Sequence, residues 1–171
     1  MDIKEFNKIK ENYIHSIPVN VIGLANAMGI IVYNTSINND NLSGYISKDD
    51  EGYYICVNDR HPATRQQFTI AHELGHYVLH KDVLDSGNLL PTMYKIGDGI
   101  TPALARADYN NPVYRTMETE ANKFAAELLM PKNEFIKKAN ECEDLVELAL
   151  SFKVSVGAAS IRANNLGIEI F

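Results

Sequence analysis

Three of the chain's five histidines fall within nine residues, HELGHYVLH (72–80). His72 and His76 stand four apart, and an acid, Glu73, directly follows the first. On an α-helix that spacing puts two side chains on one face, about 6 Å apart along the axis, so both imidazoles can turn onto one metal ion. A zinc ion held in this way brings the pKa of a water molecule towards neutrality, and Glu73, one position round the helix, can take the proton. The chemistry on offer is metal-assisted hydrolysis of a polarised carbonyl, with His72 and His76 as zinc ligands and Glu73 as general base.

A hydrolytic zinc site needs a third protein ligand. His80 lies eight residues from His72, about 12 Å along a helix axis, whereas two nitrogens on one zinc are at most about 4.2 Å apart. An unbroken helix therefore excludes it. The extended HExxHxxGxxH pattern fails too, because Leu79 holds the glycine position and Asp82 the last histidine position. Asp82 is a minor alternative as an oxygen ligand.

The segment METEANKFAAELLM (117–130) offers Glu118, Glu120 and Glu127. Helical projection places Glu118 and Asn122 inside the apolar stripe of Ala121, Phe124, Ala125, Ala126, Leu128 and Leu129, with Glu120, Lys123 and Glu127 opposite. A carboxylate on a buried stripe needs a partner, and zinc is one. Asn122, one turn on, is placed to hydrogen-bond a ligating imidazole. The competing readings are Glu118 as an ordinary helix-start residue favoured by the dipole, and Glu120 as the ligand.

These residues require elements to position them. A helix is expected from Pro62 to about Lys81, with Ala71, Leu74, Val78, Ile70 and Gly75 towards the core, and with Arg65, Thr69, His72, His76 and His80 lining a cleft. Upstream, Ile3, Phe6, Ile9 and Tyr13 give residues 2–15 a helical period. PVNVIGLANAMG (18–29) reads as a short helix with Pro18 in its first turn and Gly29 as its stop. IIVYNT (30–35), LSGYIS (42–47) and YYICVN (53–58), parted by the turn-formers NNDN and DDEG, read as a small antiparallel sheet. Residues 82–116 form a long connection rich in Gly, Pro, Asn and Asp, a length that either carries function or lacks fixed structure. After Pro131, helices are expected over 132–141, 144–155 and 155–166, the last capped by Gly167.

With 171 residues and 46% hydrophobic composition, the chain has room for one buried domain, or a core with a small helical subdomain. Sixteen basic against 22 acidic residues give a net charge of -6 without a dense basic run, so no direct nucleic-acid partner is expected. The N-terminal stretch has no signal-peptide core and no run reaches the 18 apolar residues of a membrane span, which points to the cytoplasm and to no membrane partner. Cys56 and Cys142, distant in sequence, are expected to be reduced structural thiols.

RQQFTIAHELGHYVLH followed by ETEANKFAAELLMP resembles the ImmA/IrrE family of zinc metallopeptidases, and PVNVIGLANAMGIIV with the hairpin after it resembles the family's N-terminal half. The resemblance covers at least residues 18–131. It implies an α+β fold, with a zincin-like metallopeptidase core over residues 1–131 and a C-terminal helical, helix-turn-helix-like subdomain over 132–171 packed on it. It implies His72, His76 and Glu118 as zinc ligands and Glu73 as general base. The implied partner is a protein substrate, an Xre-like helix-turn-helix repressor of a mobile element or stress regulon. The long segment between His80 and Glu118 departs from the commoner pattern and is expected to bear on substrate recognition. The substrate would lie as an added strand along an edge of the sheet formed by residues 42–58.

Rival readings are a non-catalytic regulatory binding protein or toxin–antitoxin component with a structural zinc site, and a DNA-binding regulator using LALSFKVSVGAASIRANNLGI. Ser160, Arg162, Asn164 and Asn165 offer few groups for reading bases, which favours a packing role for these last helices.

Overall fold

The computed structural model describes residues 2–86 and 112–169; most of the expected long connection lies outside them. The chain opens with α1 (Ile3–Lys10), where the Asp2 carboxylate accepts from the backbone N–H groups of Lys4 and Glu5 and so supplies the partners a first helical turn lacks. Helix α2 (Val21–Ala27) starts later than Pro18 suggests. The residue that can satisfy its free donors is Asn20, whose side chain accepts from Gly23 N–H at 2.9 Å.

Three strands follow, β1 (Ile31–Thr35), β2 (Gly44–Asp49) and β3 (Gly52–Asn58), in the order β1-β3-β2. The sheet is mixed, which corrects the antiparallel expectation: β2 pairs antiparallel with β3, but β1 pairs parallel with it. Residues 36–43 carry the chain past the place that β3 then fills, so β1 and β2 never touch as neighbours. A fully buried Asn58 fastens that connection. Its Nδ2 donates to the carbonyls of Ile37, Asn39 and Leu42, and its Oδ1 accepts from Ile37 N–H.

Helix α3 (Ala63–Leu79) carries the HELGH motif and is buried around most of its middle turns: Ala71, Leu74, His76 and Glu73 are all at most 2% exposed. It crosses close over β2, where a Cβ on Gly44 would sit 2.5 Å from the Cys56 carbonyl and 2.7 Å from Thr69 Cγ2. After His80 the chain makes a one-turn helix, α4 (Lys81–Asp85). Helix α5 (Pro112–Leu129) begins five residues before the expected start, because Pro112 suits a first helical turn and the residues after it tolerate a helix.

The remaining helices are α6 (Lys132–Ala139), α7 (Leu145–Phe152) and α8 (Val156–Leu166). Asp144 and Ser155 cap the starts of α7 and α8. Lys153, in the left-handed conformation, ends α7 before the expected residue 155. Phe135, Phe152 and Leu148 join Leu129 and Met130 in the same core as Leu24, Ile46, Ile55 and Leu74.

Candidate metal centre

Helices α3 and α5 form the most extensive helix pair in the described fold. They approach closely because both present small residues: a Cβ on Gly75 would lie 3.0 Å from Phe124 Cδ1 and 3.2 Å from Ala121 Cα. His76 meets Glu118 while His72 meets Asn122, so the two helices run antiparallel across one another. The crossing gathers side chains that are more than forty residues apart in sequence.

His72, His76 and Glu118 each offer one ligand atom, all within 4.8 Å of one another. The two Nε2 atoms are 3.0 Å apart; Glu118 Oε2 lies 3.4 Å from His72 Nε2, and Oε1 lies 3.1 Å from His76 Nε2. Two nitrogens on a tetrahedral zinc are about 3.3 Å apart, so the spacing suits one small cation. The donor chemistry fits as well. Asn122 Oδ1, 2.9 Å from His72 Nδ1, can only accept, which leaves the hydrogen on Nδ1 and the lone pair of Nε2 facing the cluster. Glu118 Oε1 is buried without a hydrogen-bond partner: His76 is near enough for an ion pair, but its direction is poor for a hydrogen bond. Two imidazoles and a carboxylate, one oxygen of it orphaned, make a donor set for a zinc-like ion.

The electrostatics follow from burial and from this crowding. Burial alone would push the Glu118 carboxyl up, but its contacts with His72 and His76 bring it down to about 2. Burial would also pull His72 down, and there Glu118 and Glu73 outweigh it and raise the imidazole's pKa. Glu73 is raised, with burial as the main cause; His72, His76 and its one backbone hydrogen bond only partly oppose it.

That backbone bond places the acid. Glu73 Oε2 accepts from Ile46 N–H at 3.0 Å. Asn58 N–H donates to the Ser43 carbonyl on the inner side of β2, and antiparallel pairs alternate. The backbone groups of Gly44, Ile46 and Lys48 therefore point away from β3, on a side where Gly44 and Ile46 are buried and Glu73 holds the Ile46 N–H.

Several positions differ from the sequence reading. The histidine face of α3 was expected to line a cleft, yet the His76 side chain is 0% exposed, and only the edges of His72 and Glu118, at 12% and 21%, reach solvent. The cause is α5, which lies over that face. Glu118 and Glu120 part as projection suggested, 21% against 53% exposed, but Asn122, expected on the same apolar stripe as Glu118, is exposed at the edge of the helix contact. Asp82 is exposed on α4 and outside the cluster. Sequence reasoning missed one contact: His80 Nδ1 lies 3.1 Å from His76 Nδ1, and its Nε2 lies 2.8 Å from Glu120 Oε2. The signal was present in the repeated spacing of four, His72 to His76 to His80.

Residues 25–164 match the family model of the IrrE N-terminal-like domain, Peptidase_M78. No match is found among curated proteins. Among solved structures, the chain is similar to a Mycobacterium tuberculosis transcriptional regulator, with a TM-score of 0.55 and 22% identity, over 84% of this chain and 40% of that one. That likeness is one of fold, and the chain spans well under half of that protein's length. The family match runs through both helical blocks and includes His72, Glu73, His76 and Glu118, and the chain belongs to the Peptidase_M78 family.

Proposed function

We propose that the protein is a zinc-dependent endopeptidase that makes limited cuts in a protein partner, an Xre-like helix-turn-helix repressor, in the cytoplasm. The observation that carries the reading is a buried acid, Glu73, beside a three-donor cluster of His72, His76 and Glu118. These three would hold the ion. Bound there, zinc supplies a Lewis acid that polarises a carbonyl and makes water acidic enough to give up a proton near neutral pH.

Glu73 is the residue that moves the proton. A carboxylate whose pKa is raised by burial is a better base than a solvated one, and the Ile46 N–H fixes its orientation. It accepts a proton from the attacking water and returns it to the amine that leaves. An extended substrate segment would lie along the β2 edge next to Glu73, where Lys48 is exposed and the Ile46 N–H is already held by the acid. A groove of about 1200 Å³ is lined by Asn122 together with Phe68, Ala126, Ala158 and Ile161. It supports a seat for apolar substrate side chains.

The last helices fit a packing subdomain. Arg162, the basic residue of α8, is 8% exposed and donates from Nε to the Met130 carbonyl just past the end of α5. It is turned inward and is not offered to phosphates. Among the described residues no helix is long and apolar enough to cross a membrane.

The test is to incubate the zinc-loaded protein with a repressor encoded beside it and to follow both partners by mass spectrometry. Discrete fragments from one or a few cut sites are expected at substoichiometric protein. A stable complex with both chains intact would favour the regulatory or toxin–antitoxin reading.

A further inference from the structure

His76 has two ring nitrogens, and both are engaged. Nε2 faces His72 Nε2 and Glu118 Oε1, and Nδ1, on the far side, lies 3.1 Å from His80 Nδ1. His80 is 8% exposed, and its Nε2 is 2.8 Å from Glu120 Oε2. A neutral imidazole carries one hydrogen, so each of these contacts has a direction.

Only one assignment satisfies all of them. A carboxylate accepts, so the hydrogen between His80 and Glu120 belongs to His80 Nε2. His80 Nδ1 is then a bare acceptor and takes the hydrogen of His76 Nδ1. That leaves His76 Nε2 with its lone pair turned towards His72 and Glu118. The reverse order would put a hydrogen on His76 Nε2 and leave His80 Nε2 and Glu120 as two acceptors 2.8 Å apart with nothing between them.

We propose that His80 and Glu120 are positioning residues, a carboxylate–histidine relay behind His76 that fixes its ring and tautomer so that Nε2 can take a metal ion. The inference rests on the metal reading of the His72, His76 and Glu118 cluster. Asn122 does the same for His72, so each ligating ring is set by an acceptor at its far end. His80, too far along the helix to share the ion with His72, acts through His76. Most of the effect lies in the buried His80, because Glu120 is half exposed and water can replace part of it.

The test uses the whole chain, stripped with a chelator and titrated with zinc against a colorimetric competitor. His80→Leu is expected to weaken zinc binding by roughly 10- to 100-fold. His80→Asn, whose side-chain carbonyl can accept from His76 Nδ1, should recover most of the loss, a rescue that mere filling of space does not explain. Nitrogen NMR of wild-type histidines provides a second readout that needs no variant to fold. His80 should show a bare Nδ1 and a protonated Nε2 when zinc is bound. The relay is overturned if a folded His80→Leu binds zinc as tightly as wild type, if the Asn variant is no better than the Leu variant, or if His80 carries its hydrogen on Nδ1. Wild type that takes up no zinc overturns the metal reading and the relay together; normal zinc uptake by wild type and His80→Leu alike overturns the relay alone.

Discussion

Glu73 is held almost entirely out of water with one backbone donor for its carboxylate, an arrangement that suits a base and burdens the fold. Because its folded pKa lies above the ordinary carboxylate value, the protonated form is favoured in the native state. The stabilisation it gives is complete below the unfolded value and lost as pH rises through the folded one. Metal-free Glu73→Gln should therefore melt higher than metal-free wild type at pH 8, with the gap closing as pH falls towards 5. Thermal unfolding across that range checks it. Glu118 has the opposite sign, since a pKa of about 2 means its contribution is present above the unfolded value and lost as pH falls through the folded one. Bound metal separates the two glutamates that sequence had left in competition: Glu118→Ala should purify without zinc, whereas Glu120→Ala should keep it, with affinity reduced by less than about tenfold. Elemental analysis of the two variants decides the point. Helical projection separated Glu118 from Glu120 because burial on one helix has a period. It could not pair His80 with Glu120, because each lies on the polar side of its own helix and they meet only where the helices cross.

Among the elements, α3 and α5 set the site because their spacing sets the distance between the ligands. Gly75→Ala would place a methyl 3.0 Å from Phe124 and 3.2 Å from the Ala121 backbone. The helices would have to separate, at an expected loss of about 1 to 3 kcal/mol and with weaker zinc binding, since His76 and Glu118 lie on opposite sides of that contact. Calorimetry and a zinc titration on the same variant test both parts. Local signals made most of these elements legible: Pro131 after α5, Gly167 after α8, and the period of the HELGH helix. Strand pairing was not, because the β1 sequence reads the same whether its neighbour runs parallel or antiparallel. The early start of α5 did have a signal, Pro112, but it was hidden in a run of Asn and Pro that reads as loop.

At the level of the whole molecule, the last helices are tied to the end of α5 through Arg162 and the Met130 carbonyl. Arg162→Ala should lower stability by about 1 to 3 kcal/mol, because it strands a buried acceptor, and should leave zinc stoichiometry unchanged. The family was legible from two helical blocks, since HExxH and a distant Glu on an apolar stripe are what this chemistry requires.

In the proposed reaction Glu73 serves peptide hydrolysis at a site made by His72, His76 and Glu118. The most direct measurement compares repressor cleavage by wild type and Glu73→Gln, both stripped with chelator and reloaded to one zinc per chain. Equal zinc occupancy is expected, with cleavage by the variant reduced by about 10²- to 10⁴-fold. A zinc-loaded Glu73→Gln that cuts as fast as wild type would contradict it.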